Sequence, residues 1–544
     1  MSPTLRAGRW LLATFAVLSI AAAVRGADAV DPATLPAWKR YVWQDLAPIL
    51  SRGEESRLLA QPDAAALDDW VRRFWLDKDP TPTTPVNERR EEHLKRLETA
   101  RALYPADNAI GLDQRGKDYV LFGPPDETSE IDEWFDETGH HPARLIWIWL
   151  HPPMRATYAD WNLDGEWEQA WDETPSSRPD VSYRLERAVM QDSQAEDAQL
   201  LTDLRQSDPL AYQDLMRQLA EGEIVNMLEI KNQKLLADLM GSKFRKMEAA
   251  YLENRRDRTD TYVHDFKAEP LWAVFAVDCF RGADGRSRVE LTHEVRLNDL
   301  GFAYDEGRQD FAAALLRRAV FYDADERVAA SVEDRQPVYA QSLEDTRRPL
   351  LLPGLAAVQL RPGDYRLALR LEDERTHRLQ VFDTRVSVPG FPPDSLLISD
   401  VAFASGLQRG EAPARFAHGE WIVTPHPLHA YATDRNIQLY FEVYGLATDA
   451  DGLNDYTVTY RIRPKNPVVK SSWLWTRQEA DDAEAGSTFA DRHGGEMARH
   501  PLSIPAAEFA EDSYVLEVEV LDRVSGASAR GRGQFSVLPP SALQ

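Results

Sequence analysis

At 544 residues the chain is too long for one hydrophobic core, and three or four domains are expected. Hydrophobic residues make up 43% and aromatics 10%, enough apolar material to argue against wholesale disorder. A formal net charge of −26 argues against nucleic acid and anionic lipid as partners, since both need basic patches.

The chain opens on MSPTLRAGRWLLATFAVLSIAAAVRGADAV. Arg6 and Arg9 precede an apolar run from Trp10 to Val24, and small residues follow. Residues 1–26 therefore read as a secretory signal peptide, with cleavage after Gly26 or Ala29. No later run is long enough to span a membrane, so the mature chain is expected in the periplasm or secreted, with no transmembrane segment. Cys279 is the sole cysteine, so no internal disulfide can form; in LWAVFAVDCF it reads as a buried thiol.

Residues 30–178 are expected to form a small α+β domain. A helical stretch over 35–75 places Leu58, Leu59, Leu67, Trp70, Val71 and Phe74 at helical spacing. FWLDKDPTPTTPVNERREEHLKRL follows. Its prolines force an extended segment, Thr84-Pro85 reads as a helix start, and Leu94, Leu97, Ala100 and Tyr104 give an apolar stripe. Tyr119 to Phe122 reads as a strand stopped by Gly123-Pro124-Pro125, and ARLIWIWLHPP as a second. Residues 179–262 read as a helical segment with room for a helical hairpin. Met240, Phe244, Met247 and Tyr251 share one face there.

Beyond Leu271 the period changes to two, and the chain repeats itself. RPGDYRLALRLEDERTHRLQVFDTRVSV aligns with AEDSYVLEVEVLDRVSGASARGRGQFSV without a gap, Tyr365 on Tyr514 and Asp373 on Asp522. Upstream, Asp284-Gly285 and Asp451-Gly452 each separate two alternating runs and read as hairpin turns. Two tandem immunoglobulin-like β-sandwiches are expected, over 263–391 and 392–541. Tyr365 and Tyr514 each open a strand after a turn, as in a tyrosine corner. The fold class is thus multidomain α+β: the small domain, the helical segment and the two sandwiches.

Motifs for a nucleophile elbow, a phosphate-binding loop, a zinc protease or a dinucleotide site are absent, and no cofactor is expected. His418, His426 and His429 lack an acid or thiolate at ligand spacing, so they read as a surface loop, with no metal expected. Trp147 and Trp149 share one strand face, with Trp161, Trp167 and Trp171 downstream. They read as core and sheet clamps, or as an aromatic platform for sugar or peptide with Asp160, Asp164 and Glu166 as acceptors. A polar set remains: Asp79, Thr81, Asn87, Glu88, Arg96, Arg115 and Asp126, with Asp113 beside it. It reads as mutual pairing and capping, or as a ligand site with paired carboxylates.

The stretch WLDKDPTPTTPVNERREEHLKRLETARALY followed by DQRGKDYVLFGPPDE resembles the GWxTD domain of exported bacterial proteins. The matching positions are Asp79 to Pro82, Asn87-Glu88, Arg115-Gly116, Tyr119 to Phe122, and Gly123, Pro125 and Asp126, within about residues 70–130. The naming pentapeptide is replaced by Ile110-Gly111-Leu112-Asp113-Gln114. The resemblance implies an exported protein with this order of domains, and no particular reaction. The reading favoured is a non-catalytic structural or interaction protein with a protein partner. The alternative is a periplasmic carbohydrate- or peptide-binding module or hydrolase centred on the Trp-rich, acidic region.

Overall fold

The computed structural model describes residues 34–136, 139–161, 165–170, 233–410, 416–465, 485–495 and 497–543. The expected leader, and the expected helical segment up to residue 232, lie outside these. Two compact units are present: Met1–Lys78 with Glu88–His264, and Asp79–Asn87 with Asp265–Gln544.

The first unit holds α1 (Ala37–Leu46), α2 (Arg52–Leu59), α3 (Ala64–Asp77), α4 (Glu88–Leu103) and α5 (Gln114–Phe122). Strands β1 (Glu127–Ile131), β2 (Trp134–Asp136), β3 (Gly139–His141), β4 (Arg144–Leu150), β5 (Pro153–Ala159) and β6 (Glu168–Gln169) follow, then α6 (Gln233–Asp257). Cap chemistry starts α2 and α3. Ser51 and Glu54 form a capping box, and Asp63 accepts from the Ala66 amide. The sheet runs β1-β4-β5-β6, antiparallel throughout. Trp147, Trp149, Tyr158, Leu97, Val120, Phe122 and Tyr251 share one core, which brings α4, α5 and α6 to the sheet.

Two expected elements differ here. Tyr119–Phe122 is the last turn of α5, not a strand. Asp113 caps that helix by accepting from the Gly116 amide at 2.9 Å, and a four-residue apolar run fits helix or strand equally. Helix α4 starts at Glu88 rather than at Thr84-Pro85. The Thr84 hydroxyl lies 3.1 Å from the carbonyls of Thr81 and Val86, so it closes a turn instead of capping. Leu94 is exposed, and the inward face of α4 is Arg89, His93, Arg96, Leu97 and Ala100.

The second unit is two stacked-sheet sandwiches. The first has β7 (Ala273–Arg281), β8 (Ser287–Arg296), β9 (Ala303–Asp305), β10 (Asp310–Tyr322), β11 (Val328–Ala340), β12 (Leu351–Leu360), β13 (Gly363–Asp373) and β14 (Leu379–Val388). Its sheets are β11-β10-β13-β14 and β12-β8-β7, with Leu291, Leu315, Phe321, Leu367 and Leu369 between them. The second has β15 (Leu397–Ile398), β16 (Ala402–Arg409), β17 (Ala417–His418), β18 (Trp421–Pro425), β19 (Ala430–Ala432), β20 (Asn436–Tyr444), β21 (Asn454–Pro464), β22 (Ala485–His493), β23 (Met497–Pro505), β24 (Ser513–Asp522) and β25 (Ser528–Leu538).

The sequence repeat is a repeat of topology: β11-β10-β13-β14 returns as β22-β21-β24-β25. Tyr365 and Tyr514 open equivalent strands. Each donates its hydroxyl to the carbonyl four residues upstream, Arg361 at 2.8 Å and Ala510 at 2.9 Å. Asp284-Gly285 turns the β7–β8 hairpin, both residues at positive φ. Asp451-Gly452 does not: it joins β20 to β21, which lie in different sheets. By position in its sheet β20 corresponds to β8, so the upstream halves of the repeat match in composition and not in topology.

Residues 79–87 belong to the second unit. Asp79 Oδ1 accepts from the Thr81 amide at 2.9 Å, an Asx turn. Tyr322 of β10 donates its hydroxyl to the Pro82 carbonyl at 2.6 Å. The proline segment is therefore a strap tied to β10.

Candidate functional site

The polar set singled out in the sequence is divided between the units. Asp79, Thr81 and Asn87 fall in the strap; Glu88, Arg96, Arg115 and Asp126 fall in the first unit. Arg115 donates to Asp113 Oδ2 at 2.6 and 2.8 Å and lies between Tyr104 and Trp167, 5.0 and 4.9 Å from their ring centres. Asp126 accepts from the Leu150 amide at 2.7 Å. Arg96 donates to Glu92 at 2.7 Å, and its guanidinium lies against Gly123. A Cβ at Gly123 would approach it to 2.9 Å, and φ there is +87°, so glycine is required twice over. Asp113, inside the pentapeptide Ile110 to Gln114, caps α5 and pairs with Arg115.

Trp147 and Trp149 are 2% and 3% exposed and pack edge-to-face in the core, so they present no platform. Trp161 is exposed, Trp167 lies under Arg115, and Trp171 and Asp164 are outside the described residues. Glu166 accepts from the Asp107 amide at 2.7 Å, and Asp160 from the Gly165 amide at 3.0 Å.

Two buried networks carry the electrostatics instead. In the first unit Asp118 is 1% exposed and accepts from Tyr251 at 2.6 Å, Tyr158 at 2.9 Å and Gln114 at 2.9 Å. Arg255 donates to Gln114 at 2.8 Å. Burial raises the Asp118 carboxyl above its ordinary range, against the pull of Arg255 and its three donors. The knot ties α5, β5 and α6 together. On α4, burial and then Arg89 push His93 down to about 3, so it is neutral at pH 7.

The second network lies between the sandwiches. Asp278, Phe280, Glu290, Thr292 and Glu294 alternate along β7 and β8, so they leave the apolar interior to their neighbours. Phe280 joins Ala402, Ala404, Val423 and Tyr440 in a small apolar cluster. Around it His418 Nε2 lies 3.3 Å from Glu290, and its Nδ1 3.7 Å from Glu442. His426 is bonded at 2.8 Å to Glu294 through Nδ1 and at 2.8 Å to the Ala430 carbonyl through Nε2. Both partners of His426 are oxygens that can accept a ring N–H, an arrangement that favours the protonated ring. Glu442 also accepts from Tyr440 at 2.7 Å and Tyr444 at 2.6 Å.

Burial alone would depress His418, but Glu290 and Glu442 outweigh it and raise it to about 8. Glu294 similarly raises His426 against burial. Burial, then Asp400 and Glu290, hold the Asp278 carboxyl well above its ordinary range, and burial pushes the neighbouring Cys279 thiol up. His418 and His426 are 4% and 8% exposed, which overturns the surface-loop expectation. Glu290 and Glu294 lie far upstream of them, on β8, at a distance no spacing rule spans. Among the described residues no group of three or more His, Cys, Asp or Glu is placed to hold a metal ion.

No family model matches the chain. No curated protein matches it either. Among solved structures it has a 12% identical likeness to trypsin-activated α-2-macroglobulin from Escherichia coli, over 51% of this chain and 16% of that one, at a TM-score of 0.15. A β-glucuronidase from Bacteroides uniformis is 10% identical over 46% of this chain and 26% of that one, at a TM-score of 0.17. The calcium-binding mutant of B. uniformis β-glucuronidase 2 gives 10% identity, 52% and 29% coverage and a TM-score of 0.18. The chain spans less than a third of each, and likenesses this slight bear on neither fold nor function.

Proposed function

We propose that the protein is an exported structural or protein-interaction protein without catalytic activity, a GWxTD-like domain joined to two immunoglobulin-like sandwiches. One observation carries this reading. The charged residues that mark the N-terminal region are committed one by one to local partners: Arg115 to Asp113, Asp126 to the Leu150 amide, Arg96 to Glu92. Acid–base work by paired carboxylates, the alternative for this region, needs them to converge on one space. The hydroxyls of Tyr365 and Tyr514, each bonded to a carbonyl four residues back, support the immunoglobulin-like assignment.

The test is in vivo crosslinking of the tagged full-length chain in a diderm bacterial host of its own lineage, followed by fractionation. The expected result is one protein partner in constant stoichiometry in the periplasmic or released fraction. A cytoplasmic chain, or one that crosslinks to no protein reproducibly, would overturn the reading.

A further inference from the structure

The strap and the outward face of the first sandwich enclose a cleft of about 400 Å³. That is within the roughly 300–1,000 Å³ range of small-molecule sites. Thr84 walls it on one side, with residues of β10, β11 and β13 forming the rest. The strand register sets its chemistry. Leu316 lies opposite Arg335 on one side and Glu372 on the other; Arg318 lies opposite Glu333 and Arg370.

Two arginines are thus placed directly across from one another on adjacent strands, an arrangement that costs stability without an anion near it. Each is held by one acid. Arg318 donates once, to Glu333 at 2.6 Å, and Arg370 twice to one oxygen of Glu372, at 3.1 and 2.8 Å. A guanidinium has five N–H donors, so most of the pair's capacity is not used by these acids. Arg317, between Leu316 and Arg318 in sequence, points the other way, into the sandwich, where it donates to the Leu355 carbonyl at 3.0 Å. Arg335, also in the lining, is held by Glu374 at 2.8 and 2.7 Å, so Arg318 and Arg370 are the arginines that face one another across the cleft.

We propose that this cleft binds an organic carboxylate with a short apolar body, the carboxylate between Arg318 and Arg370 and the body on Leu316. A planar carboxylate matches the guanidinium fork. Glu333 and Glu372 flank the position, repel a dianion, and accept from an amide N–H carried by the ligand. A free acylated amino acid and the C-terminal residue of a peptide share this chemistry. The site is separate from the interaction reading above and stands without it.

Isothermal titration of the leaderless chain with N-acetyl-leucine, N-acetyl-leucinamide, acetyl-Ala-Ala-Leu and inorganic phosphate tests the proposal. N-acetyl-leucine is expected to saturate, and the amide and phosphate to bind about ten-fold more weakly or worse, the loss of one charge-assisted contact. A tripeptide tighter than N-acetyl-leucine assigns the site to chain ends; equal affinity assigns it to free acids. The double variant R318Q/R370Q, with its melting curve as a fold check, is expected to lose about ten-fold or more, and R318K to lose less. No saturation by either carboxylate, equal binding of the amide, or an unchanged affinity in folded R318Q/R370Q would overturn it.

Discussion

Substituting His418→Gln removes the imidazole that bridges Glu290 and Glu442 in the seam joining the sandwiches. His418 titrates at about 8 in the folded chain, against about 6.5 unfolded, a difference worth on the order of 2 kcal/mol. Because the folded value is the higher, this stability is complete below about pH 6.5 and is lost as pH rises through 8. The raised Asp278 carboxyl acts with the same sign, since a proton held in the folded state is lost as pH climbs. Glu442 is depressed: burial opposes, but the bonds from His418, Tyr444 and Tyr440 prevail, so its share disappears only in acid. Asp400, itself raised by burial, acts in the same direction as Asp278, while Arg288, 2.5 Å from Glu290, and Arg499, 3.9 Å from Glu442, bring positive charge to the group. The two arginines cushion the loss, so H418Q is expected to cost about 2–3 kcal/mol at pH 6, below the roughly 3–5 kcal/mol of an uncushioned buried pair. The assay is urea unfolding from pH 5.5 to 9.5, with hydrogen exchange of peptides covering β8 and β20, corrected for intrinsic rate. The unsubstituted protein should lose stability above pH 7, and H418Q should show a shallower slope. A wild-type profile that is flat or rising over that range, or an H418Q slope equal to it, would refute the reasoning.

Asp118→Ala strands three donors and is expected to cost about 3 kcal/mol or more in urea unfolding of the chain, while Tyr251→Phe, which deletes one donor, costs about 1–3 kcal/mol. Because the Asp118 carboxyl is raised, Asp118→Asn should lessen the fall in stability as pH rises above 4, and an unaltered profile would count against a buried protonatable group. Tyr365→Phe and Tyr514→Phe each remove one hydroxyl bond to a carbonyl and should each shift the unfolding free energy by about 1 kcal/mol; a silent pair would mean these bonds are replaced by water at no cost. Asp113→Ala removes the cap of α5 and the partner of Arg115, and should cost about 1–2 kcal/mol, read from the unfolding midpoint.

What the sequence made legible was whatever has a local period. The alternation in Arg144–Leu150 gives β4, and the ungapped repeat gives β13–β14 and β24–β25 with their tyrosines. Elements failed where a local signal was ambiguous. Tyr119–Phe122 is too short for periodicity to separate helix from strand, and the deciding feature, Asp113 as a cap, shows only in the hydrogen bond it makes. The inward face of α4 carries Arg89, His93 and Arg96, so a stripe sought among leucines was displaced to the exposed Leu94. Of the chemistry, the residues around Arg115 were found but their supposed convergence was not, because composition does not reveal partners. The seam was missed outright. Glu290 and Glu294 sit in an alternating strand where charged positions normally face water; only the second sandwich, far along the chain, makes them interior.

The strap has a consequence for how this architecture can be taken apart. The backbone passes from one unit to the other at Lys78–Asp79, returns at Asn87–Glu88, and leaves again at His264–Asp265. One cut after His264 leaves the first unit whole but carries the strap with it, so no single cut releases the second unit whole. Cutting after His264 strips the first sandwich of the segment that Tyr322 holds through Pro82. A fusion or duplication joined at His264–Asp265 would therefore carry the strap away with the first unit.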